Sequence, residues 1–119
     1  MHHIRITKKM KTIQSDSFNT IEIRVGTIIQ AEVFAEARKP AYKLTIDFGE
    51  LGYRNSSAQI TRRYKPHELI GKQIIAVVNL PPKQVASFRS ECLVLGAVHN
   101  DDVILLTTDD LVANGLRIQ

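Results

Sequence analysis

The residues able to do chemistry are few. They are the histidines His67 and His99, the single cysteine Cys92, and the acid pairs Asp101-Asp102 and Asp109-Asp110. Acid–base or nucleophilic catalysis needs a nucleophile, a base and an orienting group within mutual reach. His67 falls in a short helical turn and His99 in a loop, and neither has a flanking serine, cysteine or carboxylate pattern. Cys92 lies in an apolar stretch, the setting of an inert core thiol. No Cys/His cluster has zinc spacing, and the acid pairs lack the glycine and glutamate of a calcium loop, so they read as turn residues. No glycine-rich loop is present to cradle a phosphate. The expectation is a protein that is not an enzyme and needs no metal or cofactor.

Binding chemistry is better represented. Asn79-Leu80-Pro81-Pro82-Lys83 leaves an apolar run and leads to Phe88-Arg89-Ser90, and an earlier loop supplies Arg38, Lys39 and Tyr42. A cation beside an aromatic ring suits single-stranded nucleic acid, with charge for the phosphate and a flat face for a base. The same mixture can hold an extended peptide, whose apolar side chains would meet phenylalanine and proline. Aromatic residues are 6% of the chain and tryptophan is absent, which speaks against a platform that stacks several bases. The plainer alternative has Phe88 closing the mouth of the fold and Arg89 in solvent.

These loops must be held by strands. Ile21 to Phe34 alternates, with Ile21, Ile23, Val25, Thr27, Ile29, Ala31 and Val33 on one face. Period two over this length predicts a long half-buried strand, and Gly26 within it predicts a bulge or bend. Tyr42, Leu44, Ile46 and Phe48 predict a second strand, and Arg54–Ile60 a third. Lys65–Gly71 predicts a short helix, with Pro66 in its first turn and Gly71 at its end. Lys72–Leu80 predicts a fourth strand, stopped by Pro81-Pro82. Glu91–Val98 predicts a fifth, apolar on both faces, and Val103–Thr108 a short sixth. Three strands, a short helix and two more strands are the order of an OB-fold. The expected class is all-β: a five-stranded OB-fold barrel with a short helix between strands 3 and 4 and N- and C-terminal extensions.

Length sets the scale: 119 residues suit one domain. The formal charge of +4 invites a nucleic-acid reading, but Arg5, Lys8, Lys9 and Lys11 supply all of it before residue 16. From Asp16 onward 12 basic side chains meet 12 acidic ones. Within that body, residues 16–89 carry a surplus of bases and residues 90–119 a surplus of acids. The adjacent His2 and His3 suggest no function, and Met10 offers a second start that would make residues 1–9 an extension. No apolar run reaches the roughly 20 residues that span a bilayer. One cysteine cannot form an internal disulfide, which fits a reducing cytoplasm.

Arg24-Val25-Gly26, and Asn79-Leu80 followed by Pro82 and Ser90, resemble the tRNA-binding OB-fold domain family. Longer runs resemble its branch of CsaA-type protein-secretion chaperones: residues 34–41, Ile46-Asp47-Phe48-Gly49, residues 56–61, Tyr64-Lys65-Pro66, residues 77–83 and residues 88–96. The likeness covers about Phe18 to Ile118. Gln84, Ala86 and Cys92-Leu93 depart from the tRNA-binding branch, which tends to have further cations and a Gly-Met there. Fewer cations mean fewer phosphate contacts.

The resemblance implies an ATP-independent chaperone that binds unfolded precursor polypeptides for export, with a structure-specific tRNA binder as the alternative. It implies a basic extension at 1–17 and a tRNA-binding-type domain at 18–119. Arg38, Lys39, Tyr42, Asn79, Lys83, Phe88, Arg89 and Ser90 would form the site. The apolar ends, Phe18, Ile21, Leu111, Val112, Leu116 and Ile118, would join two subunits as a homodimer. Export machinery is a further implied partner.

Overall fold

The computed structural model describes residues 8–119; Arg5 and the His2-His3 pair lie outside them. A short helix α1 (Ser15–Asn19), which the aperiodic N-terminal sequence did not predict, precedes the long strand β1 (Ile23–Val33). Next come β2 (Tyr42–Asp47), a single 3-10 turn (Gly49–Leu51) and β3 (Tyr53–Ala58). The helix α2 (Pro66–Leu69) leads into β4 (Gln73–Val77). Five short strands complete the chain: β5 (Lys83–Val85), β6 (Phe88–Ser90), β7 (Leu93–Val94), β8 (Gly96–His99) and β9 (Asp102–Leu105).

The main sheet has the order β3-β2-β1-β4-β7, all antiparallel. Its length lets β1 serve both halves: Ile23–Thr27 pair with β4 and Thr27–Val33 with β2. The expected bulge falls between Ile28 and Gln30, not at Gly26. Gly26 answers a different need. A Cβ there would lie 2.6 Å from Ile46 and 2.7 Å from the Phe48 ring, so only glycine lets β1 approach β2's end.

Curling of this sheet encloses one core built by the even-numbered residues: Ile28, Leu44, Ile46, Phe48, Ile74 and Ala76, with Leu69 of α2 plugging one end. The odd residues Ile23, Val25, Ile75 and Val77 form a second buried layer on the outer face. The alternation of β1 is thus buried on both sides near its start, while Val33 at its end is exposed. The C-terminal tail covers the outer layer. Val112 and Ile118 pack against it, and Val25 donates to the Leu116 carbonyl (3.0 Å), Gly115 to that of Val25 (2.7 Å) and Ile118 to that of Ile23 (2.8 Å). Gln73 fixes the tail reciprocally: its amide donates to the Val112 carbonyl (2.7 Å) and accepts from the Val112 N–H (3.0 Å).

The barrel's other join, between β3 and the chain at 90–92, is made differently. Glu91 N–H donates to the Asn55 carbonyl (2.8 Å), but the Asn55 N–H goes to the Glu91 carboxylate (3.0 Å) and the Ser57 N–H to the Ser90 hydroxyl (2.9 Å). Ser56 Oγ donates to the Cys92 carbonyl (2.9 Å). Side chains here do what a ladder does elsewhere.

Two expectations need correction. The fifth strand is not continuous: β7 and β8 are separated at Leu95, whose N–H donates to Ile75 (2.8 Å) and whose side chain packs on the outer layer. Nor is it apolar on two buried faces, because Leu93 and Val98 are exposed. The basic and acidic segments meet within the chain, where Arg62 and Arg63 form paired contacts with Asp101 and Asp102 and hold the β8–β9 hairpin. Tyr64 Oη accepts the Leu105 N–H at the same place.

Candidate functional site

A groove of about 970 Å³ opens beside the β3 join. Loop 34–41 forms one wall and the β5–β6 hairpin the other; Ser57, Gln59 and Cys92 lie between them. The hairpin is absent from the sequence expectations because Lys83–Ser90 shows no alternation and follows two prolines. Its turn carries Ala86 at φ 51, the left-handed region, which a residue with a Cβ enters at some cost. Gln84 Nε2 donates to the Ala86 carbonyl (3.0 Å) and ties the turn down.

Aromatic contact joins the two walls. Phe88 stands edge-on to Phe34 with ring centroids 5.4 Å apart, and Lys43 Nζ lies 5.5 Å from the Phe34 centroid and 5.9 Å from that of Phe88. Such a pair adds about 1 kcal/mol beyond area burial. Phe88 therefore positions the hairpin and is not part of the groove lining.

Of the eight residues singled out by sequence, Arg38, Lys39, Lys83 and Ser90 line the groove. Arg38, Lys39 and Lys83 are exposed. Ser90 lines it while its hydroxyl is committed to the Ser57 N–H. Tyr42 is placed elsewhere: it is 6% exposed, inside the barrel, with its hydroxyl donating to the Tyr64 carbonyl (2.7 Å). Its even number in β2 puts it on the core face with Leu44 and Ile46. Asn79 is a clamp, accepting the Glu22 N–H (2.9 Å) and donating to the Thr20 carbonyl (2.8 Å). Arg89 is exposed opposite Gln84 and outside the groove lining.

Sequence reasoning places Leu80 and Pro81 in a binding loop but misses the rest of the apolar lining: Ala41, Val85, Ala86 and Leu93. These residues come from three separated segments, and nothing local marks them as neighbours. Among the described residues no phenylalanine, tyrosine or histidine lines the groove. Cys92, at its base, is buried, and burial pushes its thiol up to about 11, so it stays protonated at neutral pH. Among the described residues no group of three or more His, Cys, Asp or Glu side chains is placed to hold a metal ion. No helix among them is long and apolar enough to cross a membrane.

Of the six residues expected at a subunit interface, Val112 and Ile118 are half-buried against the chain's own outer layer. Phe18, Ile21, Leu111 and Leu116 are exposed. Arg117 donates to the Asn19 carbonyl (2.9 Å), which brings the end of α1 beside the C-terminal tail.

The family described as "Putative tRNA binding domain" matches residues 23–117. Among solved structures, the chaperone CsaA of Bacillus anthracis is 54% identical with a TM-score of 0.88, covering 92% of this chain and 100% of that one. The CsaA chaperone protein of Picrophilus torridus is 57% identical with a TM-score of 0.86, covering 91% and 100%. Among curated proteins, a methionine–tRNA ligase of Methanothrix thermoacetophila is 36% identical over 112 residues, which are 94% of this chain and 16% of the ligase. The chain thus spans a small part of the ligases it matches, namely their tRNA-binding domain.

Proposed function

The chain belongs to the tRNA-binding domain family, and we propose that within it this protein is an ATP-independent chaperone that holds unfolded polypeptide in the groove beside β3. One observation carries the choice of ligand: among the described residues the groove pairs an apolar lining with three exposed cations and presents no aromatic ring for a base. Stacking supplies a large share of single-strand affinity, and phosphate contacts scale with the number of cations. An extended peptide needs neither. Leu80, Pro81 and Val85 would receive its apolar side chains, and Arg38, Lys39 and Lys83 would meet acidic groups or carbonyls at the rim. Likeness over whole chains to two proteins named as chaperones supports the same reading.

Binding of structured tRNA through the same three cations is the second reading, favoured by the family match. The test is a side-by-side titration with a reduced, carboxymethylated polypeptide and with tRNA at low and high salt. Polypeptide binding that changes little with salt is expected. Binding of tRNA alone, falling steeply with salt as counterions are released, would overturn the proposal.

The remaining assignments are part of the same proposal. The domain would occupy 18–119, with residues 1–17 a basic extension. Two copies would pair through Phe18, Ile21, Leu111 and Leu116, an apolar set around the end of α1 and the C-terminal tail, with Val112 and Ile118 supporting them from within. Sedimentation at micromolar concentration should show a dimer, and a monomer there would refute this. A cytoplasmic site of action and hand-over to export machinery fit a holder of precursors.

A further inference from the structure

The β3 edge is sealed only in part. Asn55 has both backbone groups taken, by the Glu91 carboxylate and by the Glu91 N–H, and the Ser57 N–H is taken by the Ser90 hydroxyl. Next along the same edge come the Ser57 carbonyl and the Gln59 N–H. Neither has a hydrogen-bond partner among the described residues, and both residues line the groove, Ser57 half-buried and Gln59 exposed. A carbonyl and an N–H two residues apart on one strand edge are the pair that an added parallel strand uses: one of its residues donates to the first and accepts from the second. An antiparallel strand reaches the same two groups through two of its residues, but the carbonyl of the one opposite Ser57 would then lack the Ser57 N–H, which Ser90 already holds.

We infer that the groove binds its polypeptide by strand addition, with one ligand residue opposite Ala58 bonded to the Ser57 carbonyl and the Gln59 N–H, parallel to β3. The inference rests on the polypeptide reading above and deepens it. Main-chain bonds recognise any extended sequence, which suits a holder of many clients, and the apolar lining then selects side chains on either side of the bonded residue. The partner is an extended, apolar stretch of unfolded chain. Nucleic acid has no equivalent backbone donor and acceptor at this spacing.

The test uses an array of overlapping dodecapeptides covering reduced, carboxymethylated α-lactalbumin. The tightest binder is then resynthesised with each internal amide N-methylated in turn. One position should lose affinity by about tenfold or more, the worth of a hydrogen bond, with small effects at its neighbours. Gln59→Pro, which removes the N–H at a position outside β3, should weaken the parent peptide by a similar factor. Its melting curve shows whether the fold survives; if it does not, the N-methyl profile alone decides. A binder indifferent to N-methylation at every position overturns strand addition and leaves the polypeptide reading intact. No peptide binder at all, with tRNA bound instead, removes both.

Discussion

Two open stretches of strand in one sheet, the first half of β1 beyond its pairing with β2 and the outer side of β3, are closed by different means. At the edge of β1, the C-terminal tail lies alongside Ile23–Val25 with three backbone hydrogen bonds, the Gln73 amide as a reciprocal brace, and apolar side chains over a buried layer. At the edge of β3, one backbone bond and the side chains of Ser56, Ser90 and Glu91 make the join. A ladder satisfies every group along its length. Side chains satisfy only those they reach, and the edge beyond them stays open. The tail edge carries stability, and the β3 edge leaves room for a ligand.

The largest expected effect lies at the tail. Deleting residues 112–119 uncovers Ile23, Val25, Ile75 and Val77 and strands the Gln73 amide. The loss should be on the order of 4 kcal/mol, by analogy with large-to-small core changes. Calorimetry would read it as a fall in Tm of about 15 °C. A truncated protein that melts unchanged would show that the tail only decorates the sheet.

A smaller effect is expected at β3. Ser90→Ala removes the acceptor of the Ser57 N–H, which water reaches in the groove, and should cost about 1 kcal/mol or less. Cys92 serves as the reporter there, with its Sγ 3.7 Å from the Asn55 carbonyl. Burial raises its pKa, so the native thiol should resist a disulfide reagent at pH 8 and react fully once unfolded. Ser90→Ala should speed labelling of the folded protein several-fold. An unchanged rate would mean that Ser90 does not hold this edge.

Most of the frame was legible in the sequence. The first four strands and α2 were foreseen because alternation and the Pro66 start signal are local. The β5–β6 hairpin was not, because a strand built against one partner needs no alternation and its turn rests on an alanine at positive φ. The rim cations Arg38, Lys39 and Lys83 were legible as charges in loops. Tyr42 was misplaced although its own periodicity with Leu44 and Ile46 puts it inside. Between ligand contact and closing the mouth of the fold the sequence offers no means of choosing for Phe88, because Phe34, the ring it meets, lies more than fifty residues away. The open pair at Ser57 and Gln59 could not be read at all, since it depends on which backbone groups tertiary structure leaves over.

The smallest effect distinguishes the edges by pH. Glu22 contacts Arg24 and Arg117 beside the tail, and the hydrogen bond from Arg24 holds its carboxyl below the usual range. A depressed folded pKa contributes stability above the unfolded value that is lost as pH falls through the folded one. The wild type should therefore lose slightly more stability than Glu22→Gln between neutral pH and the acid range, by denaturant titration. Parallel pH curves for the two proteins would remove Glu22 from the tail's support.

The most direct measurement of the central claim is the map of amide chemical-shift changes as an unfolded peptide is added to isotopically labelled protein. The account predicts changes concentrated at Gln59, Val85, Ala86 and Leu93, with Val25, Leu116 and Ile118 at the tail unmoved. Changes confined to the tail edge, or none with peptide and a broad response to tRNA around Arg38, Lys39 and Lys83, would contradict it.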